Sequence, residues 1–142
     1  MIYLPDVNFW IALTSSQHVH SAIATAWMDQ ILVDQVAFCR ITELGLLRLL
    51  TNSRVMGSGV KDHAGAWSIY DQIRRDGRIV FLSEKQGFDD GWSRARHQIS
   101  GGPNAWTDAY LAVFATHQNA SIVTFDRGFK SLHGCQVILL RI

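Results

Sequence analysis

The chain has 142 residues, 48% of them hydrophobic and 18% charged, with 13 Lys and Arg against 12 Asp and Glu for a formal net charge of +1. That balance excludes disordered and collagen-like chains, and a chain this long buries enough apolar surface to form one domain over residues 1–142 without a disulfide or metal staple. Two cysteines, Cys39 and Cys135, make neither a disulfide framework nor a zinc-binding spacing, so a reducing, cytoplasmic compartment is expected.

The opening Met1-Ile2-Tyr3-Leu4-Pro5-Asp6 has no basic region and no long apolar stretch, so it does not read as a signal peptide. Ile2 to Leu4 reads instead as a short buried strand running into the turn Pro5-Asp6. Phe9, Trp10 and Leu13 then share a helical face, and after the polar break Thr14-Ser15-Ser16-Gln17 the residues Ala22, Ile23, Ala26, Trp27 and Ile31 recur at helical intervals. Val36 to Cys39 is a second strand, and Thr42 is the expected cap of a helix carrying Leu46, Leu47, Leu49 and Leu50. Asn52 to Gly59 reads as a loop. A helix over residues 61–75 ends at Asp76-Gly77, before a third strand from Ile79 to Leu82. A helix over 88–97 is followed by the breakers Ser100-Gly101-Gly102-Pro103-Asn104 and a helix over 105–117. Ser121 to Phe125 and Val137 to Leu140 are the last strands. The longest apolar run, Ala109 to Ala115, is far short of the ~20 residues that cross a membrane, so no membrane association is expected.

Strands separated by helices argue for an α/β fold: a three-layer α/β/α sandwich around a parallel sheet of about five strands. In such sheets the ligand site lies beyond the carboxyl ends of the strands, where strand order reverses. Asp6 and Asp126 each directly follow a strand. Glu43 lies in the first turn of the helix after the second strand, which places it with them. Asp108, in the first turn of a helix that follows another helix, is less firmly placed by this logic. Taken singly, each acid has a plain explanation, as a turn former or a complement to a helix dipole. Together on one rim they repel, unless a hard oxygen-seeking cation such as Mg²⁺ or Mn²⁺ lies between them. A few carboxylates suffice for Mg²⁺, which keeps several waters and can orient one for attack on a phosphodiester.

Asp6-Val7-Asn8, Glu43 within Ile41-Thr42-Glu43-Leu44 and the Arg48-Leu49-Leu50-Thr51-Asn52 that follows, Thr107-Asp108-Ala109, and Thr124-Phe125-Asp126-Arg127 together resemble the PIN domain, in particular the ribonuclease toxins of type II toxin–antitoxin pairs. The likeness spans nearly the whole chain and keeps the order of the family's four acids. It implies a Mg²⁺- or Mn²⁺-dependent endoribonuclease, forming a homodimer or a toxin–antitoxin hetero-oligomer, and neutralised by a cognate antitoxin. By the same resemblance Asp6, Glu43, Asp108 and Asp126 are the catalytic and metal-binding acids, with Asn8 and Thr124 as polar supports. Trp106, close to Asp108, is bulkier than the pattern leads one to expect.

Arg127 adjoins Asp126 and Arg48 lies little more than one helical turn from Glu43, so both are candidates to meet an RNA phosphate, against the plainer reading of structural ion pairs. The six histidines sit at helix ends, turns and loops, and do not form an acid–base site. Trp10, Trp27 and Trp67 fall on apolar helical faces, and both cysteines read as small buried hydrophobes. Two alternatives stay open: a Mg²⁺-binding regulator such as a phospho-acceptor receiver, which lacks its usual acidic pair and lysine here, and a non-catalytic RNA-binding module. The near-neutral total charge does not oppose an RNA substrate, because cations bound by four acids would leave the remaining surface more basic than +1.

Overall fold

A computed structural model describes residues 1–131 and 134–141. The apolar strand segments pair side by side: β1 (Ile2–Pro5), β2 (Gln35–Phe38), β3 (Ile79–Phe81), β4 (Ala120–Thr124) and β5 (Val137–Leu139) form one parallel sheet of order β3-β2-β1-β4-β5. Side chains alternate across it. Tyr3, Val36, Phe38, Phe81 and Val123 enter one apolar cluster, and Ile2, Leu4, Ala37, Val80 and Ile122 enter the other. Strands covered on both faces in this way need continuous apolar sequence, which these segments have.

The first cluster is completed by α1 (Val7–Thr14), α2 (Ser21–Asp29), α3 (Arg40–Leu50) and α5 (His63–Arg74), the second by α6 (Phe88–Ala95) and α7 (Ala105–His117). The chain builds β1, β2 and β3 outward in one direction, then crosses to the other face through α6 and α7 and returns to lay β4 on the free side of β1. Strand order therefore reverses between β1 and β4. The carboxyl ends of these two strands define the crevice where an open α/β sheet takes its ligand.

The structure departs from the periodicity in three places. Helix α3 begins at Arg40 with Cys39 at its N-cap; Thr42 is the third helical residue, its hydroxyl accepting from Cys39 N–H at 3.0 Å. Thr42 thus performs the reach-back half of a capping box, a role that an N-cap assignment by residue type misses. The segment 52–59 is not plain loop. Asn52 caps a single helical turn, α4 (Ser53–Met56), by accepting from Arg54 N–H at 2.9 Å, and a 3₁₀ turn follows. Among the tryptophans, Trp10 is fully buried and stacked on Phe38, whereas Trp67 is 53% exposed. Cys39 is buried and Cys135 half-buried, both as free thiols. His133 lies outside the described residues. Among the described residues no helix is long and apolar enough to cross a membrane.

Candidate metal centre

Asp6 is fixed by the strand it ends. Its backbone N–H donates to Val123 O at 3.0 Å, extending the ladder in which Pro5 pairs with Val123, so the next residues on the two strands, Asp6 and Thr124, stand side by side. Its carboxylate caps α1, Oδ1 accepting from Phe9 N–H at 2.9 Å, while Oδ2 accepts from the Thr124 hydroxyl at 2.5 Å. Thr124 Oγ1 in turn accepts from Asp126 N–H at 2.9 Å, and Asp126 Oδ1 accepts from Gly128 N–H at 2.8 Å, closing a tight turn. One fully buried hydroxyl thus ties the ends of β1 and β4 together, orienting the Asp6 carboxylate and fixing the backbone at Asp126.

Three carboxylates at this crevice lie close enough to act on one another's charge. Burial, above all, raises Asp6 to about 6; the Thr124 and Phe9 hydrogen bonds pull it down, and the negative charges of Asp108 and Asp126 push it further up. Asp108, half-buried at the start of α7, is also raised, first by burial and then by Asp126. None of the three is ion-paired with a Lys, Arg or His among the described residues. Asp126 itself is exposed, as is Asn8 in the first turn of α1.

Glu43 is buried on the same edge but turned elsewhere. Its Oε1 takes Arg40 Nη1 at 2.6 Å, and Tyr70 lies against it: burial first, and then a hydrogen bond to Glu43, raise the tyrosine to about 12 against the opposing Arg74. Helix α3 comes close to Asp6 nonetheless, because Gly45 lets it pack against Val7, the residue after Asp6. Of the four sequence candidates, then, the structure brings Asp6, Asp108 and Asp126 into mutual electrostatic contact and gives Glu43 a cation of its own. Arg40 escaped the sequence reading, although its three-residue spacing from Glu43 on one helix was a legible signal. Tyr70 left no such signal. Arg48 and Arg127 are exposed and make no ion pair among the described residues.

Among the described residues no three His, Cys, Asp or Glu side chains converge tightly enough to enclose an ion by themselves. The donors nevertheless suit a hydrated hard cation. All are carboxylate oxygens, one is buried without a compensating charge, and Mg²⁺ retains several waters and needs only one or two direct carboxylates.

The architecture is that of an open, parallel α/β protein whose switch point gathers carboxylates. The chain is a member of the PIN-domain family, whose pattern it matches over residues 3–134. It is 39% identical to Ribonuclease VapC41 of Mycobacterium tuberculosis, over 96% of this chain and 97% of that one. Ribonuclease VapC29 of the same organism is 28% identical over 99% of this chain and 97% of its own. Among solved structures, VapBC2 from Rickettsia felis bound to a promoter DNA fragment superposes with a TM-score of 0.71 at 16% identity, covering 99% of this chain and 100% of that one. Mycobacterium tuberculosis VapC20, a sarcin–ricin loop cleaving toxin, superposes with a TM-score of 0.65 at 17% identity, covering 92% and 94%. At these identities the structural likeness is one of fold.

Proposed function

We propose that the chain is a divalent-metal-dependent endoribonuclease, the toxin of a type II toxin–antitoxin pair, neutralised by a cognate antitoxin. The observation that carries the reading is the trio Asp6, Asp108 and Asp126, close enough at the strand-order reversal for their charges to act on one another, with no ion-pairing cation among the described residues. Full-length similarity to chains named as ribonucleases supports RNA as the substrate, and the VapBC complexes among its structural neighbours support an antitoxin partner.

Asp6, Asp108 and Asp126 are the residues to hold Mg²⁺ or Mn²⁺. Such an ion supplies an activated water and neutralises charge developing on the phosphate and leaving oxygen. Thr124 holds the Asp6 carboxylate in one orientation. Glu43, its charge balanced by Arg40, lines the same edge without adding to the repulsion. Arg48 and Arg127, exposed and without an ion pair among the described residues, are cations that would receive the RNA backbone. A homodimer acting in the cytoplasm is the assembly and location proposed.

The test is cleavage of a short single-stranded RNA by the purified chain with Mg²⁺, Mn²⁺ or EDTA, beside Asp6→Asn and Asp108→Asn. Metal-dependent cleavage that both variants lose, while their thermal melting stays cooperative, is expected. Mn²⁺ should also raise the melting temperature of the parent more than that of Asp6→Asn, because an ion that binds only the folded state stabilises it. Undiminished cleavage by either variant would remove the assignment.

A further inference from the structure

On the same carboxyl edge of the sheet as the carboxylate trio, beyond the ends of β2 and β3, lies a cleft of about 210 Å³ between the segment that leaves β3 and helix α7, lined in part by Arg40, Phe81, Ser83, Glu84 and Tyr110. We infer that it is a nucleobase subsite, selective for guanine, which seats a base of the RNA next to the phosphate being cut. The inference rests on the ribonuclease reading and adds to it a source of sequence preference.

Its location comes first. Arg40, the ion-pair partner of Glu43, lines the cleft and links it to the acidic edge, while Tyr110 faces it from the side of α7 away from Asp108. Trp106, 56% exposed, lies four residues before Tyr110 and hence on the same helical face, continuing an aromatic surface from the cleft toward solvent. Single-stranded RNA is read by splaying bases onto aromatic rings and guanidinium planes and then hydrogen-bonding their edges. Both parts are present. The Arg40 guanidinium lies over the Phe81 ring at 4.5 Å, and the Tyr110 ring forms another wall. The volume is below the ~300 Å³ of the smallest drug-sized pockets, which suits one planar base and little more.

The polar edge gives the selectivity. Tyr110 donates its hydroxyl to Glu84 Oε2 at 2.6 Å, which holds the carboxylate in place and leaves Oε1 and the second lone pair of Oε2 to accept. Gln118 Nε2 donates to Ser83 O at 2.7 Å and pins the segment that carries Glu84. Glu84 is exposed and has no ion-pair partner among the described residues, so its charge is free for a ligand. Guanine presents two adjacent donors, N1–H and the N2 amino group, on one edge, which a fixed carboxylate accepts together. Adenine and cytosine pair an amino donor with an acceptor nitrogen that the carboxylate repels, and uracil flanks one donor with two carbonyls.

The experiment uses the full chain and two readouts. In the first, short RNAs carrying each base at the positions flanking the cut are cleaved by the parent, Glu84→Gln and Tyr110→Phe. The parent should prefer guanine at one flanking position. Glu84→Gln, at an exposed site that leaves folding intact, should lower kcat/KM for that substrate by about tenfold while changing the uracil substrate little. Tyr110→Phe, which frees the carboxylate to swing, should weaken the preference part of the way. In the second readout, guanosine and adenosine, which carry no phosphate, are titrated by NMR into the parent and Glu84→Gln. Guanosine should shift signals of residues 81–84 and 110, adenosine should not, and the variant should lose the effect. Equal cleavage with all four bases, or an unchanged profile in Glu84→Gln, overturns the inference. So does a Glu84→Gln defect confined to antitoxin binding, which would assign the cleft to a protein partner. If the parent cleaves no RNA, the ribonuclease reading fails, and guanosine binding alone decides the subsite.

Discussion

Gly45→Ala is the sharpest probe of how the acidic edge is assembled. A Cβ at position 45 would stand 2.4 Å from Val7 Cγ2, 3.2 Å from Cγ1 and 3.3 Å from Cβ, so α1 and α3 meet through a contact only glycine allows. Turning Val7 about χ1 offers no escape, because its other methyl and its Cβ are also close and a β-branched side chain has few rotamers to use. The helices must separate by several tenths of an ångström instead. Overpacking of this kind costs about 1–3 kcal/mol, offset by at most ~1 kcal/mol from replacing a mid-helix glycine with alanine. A net loss of about 1–2 kcal/mol is therefore expected, read as a lower urea midpoint at unchanged m-value. Glu43 lies two residues before Gly45 and Asp6 directly before Val7, so RNA cleavage should fall with the stability. Val7→Ala removes both offending methyls. The double variant Gly45→Ala/Val7→Ala should therefore be more stable than the sum of the singles by about 1–2 kcal/mol, a coupling well above the scatter of independent sites. A Gly45→Ala protein as stable as the parent, or a double variant that is simply additive, would refute the close approach.

Thr124→Val keeps the shape of a fully buried side chain but removes the hydroxyl shared by Asp6 and Asp126 N–H. Cleavage should fall at least about tenfold and stability by about 1–2 kcal/mol, with Thr124→Ser restoring most of both in paired melting and kinetic measurements. Arg78 Nη1 donates to Met28 O at 2.7 Å and Ile31 O at 2.8 Å, holding the end of α2. Arg78→Ala should lower stability by about 2 kcal/mol by denaturant titration, and Arg78→Lys, which lacks the planar fork, should recover only part. Burial pushes the Cys135 thiol up to about 11, so the reactive thiolate forms only as the pH approaches that value. At pH 8 its alkylation by iodoacetamide should run about a hundredfold slower than that of a free thiol, and should reach the free rate on unfolding.

Much of the fold is legible in the chain because its signals are local. Short β-branched runs bounded by turns mark all five strands, and three- and four-residue spacing marks the long helices. Two local signals are overridden by their surroundings. Thr42 has the chemistry of an N-cap, yet the helix starts earlier and uses its hydroxyl from inside. Trp67 sits on a face with apolar neighbours, yet no layer of the sandwich covers it.

The acids illustrate the division most clearly. Each is placed near a strand end or helix start by sequence, since one residue after a strand can only lie at its edge. Which acids meet is another matter. Asp6 and Thr124 are 118 residues apart and touch because β4 lies beside β1 in register, and Asp108 joins them because α7 crosses the face opposite α3. Strand order and helix side follow from packing of whole layers, to which hydrophobic period is blind. Glu43 was equally well placed by its position, but its carboxylate went to Arg40 on its own helix and to Tyr70 on α5. Local pattern thus specifies the elements and the edge on which the chemistry lies. Which charges oppose one another there, and which are neutralised, is set by the packed layers, because long-range Coulomb interactions depend on distances that no local pattern encodes.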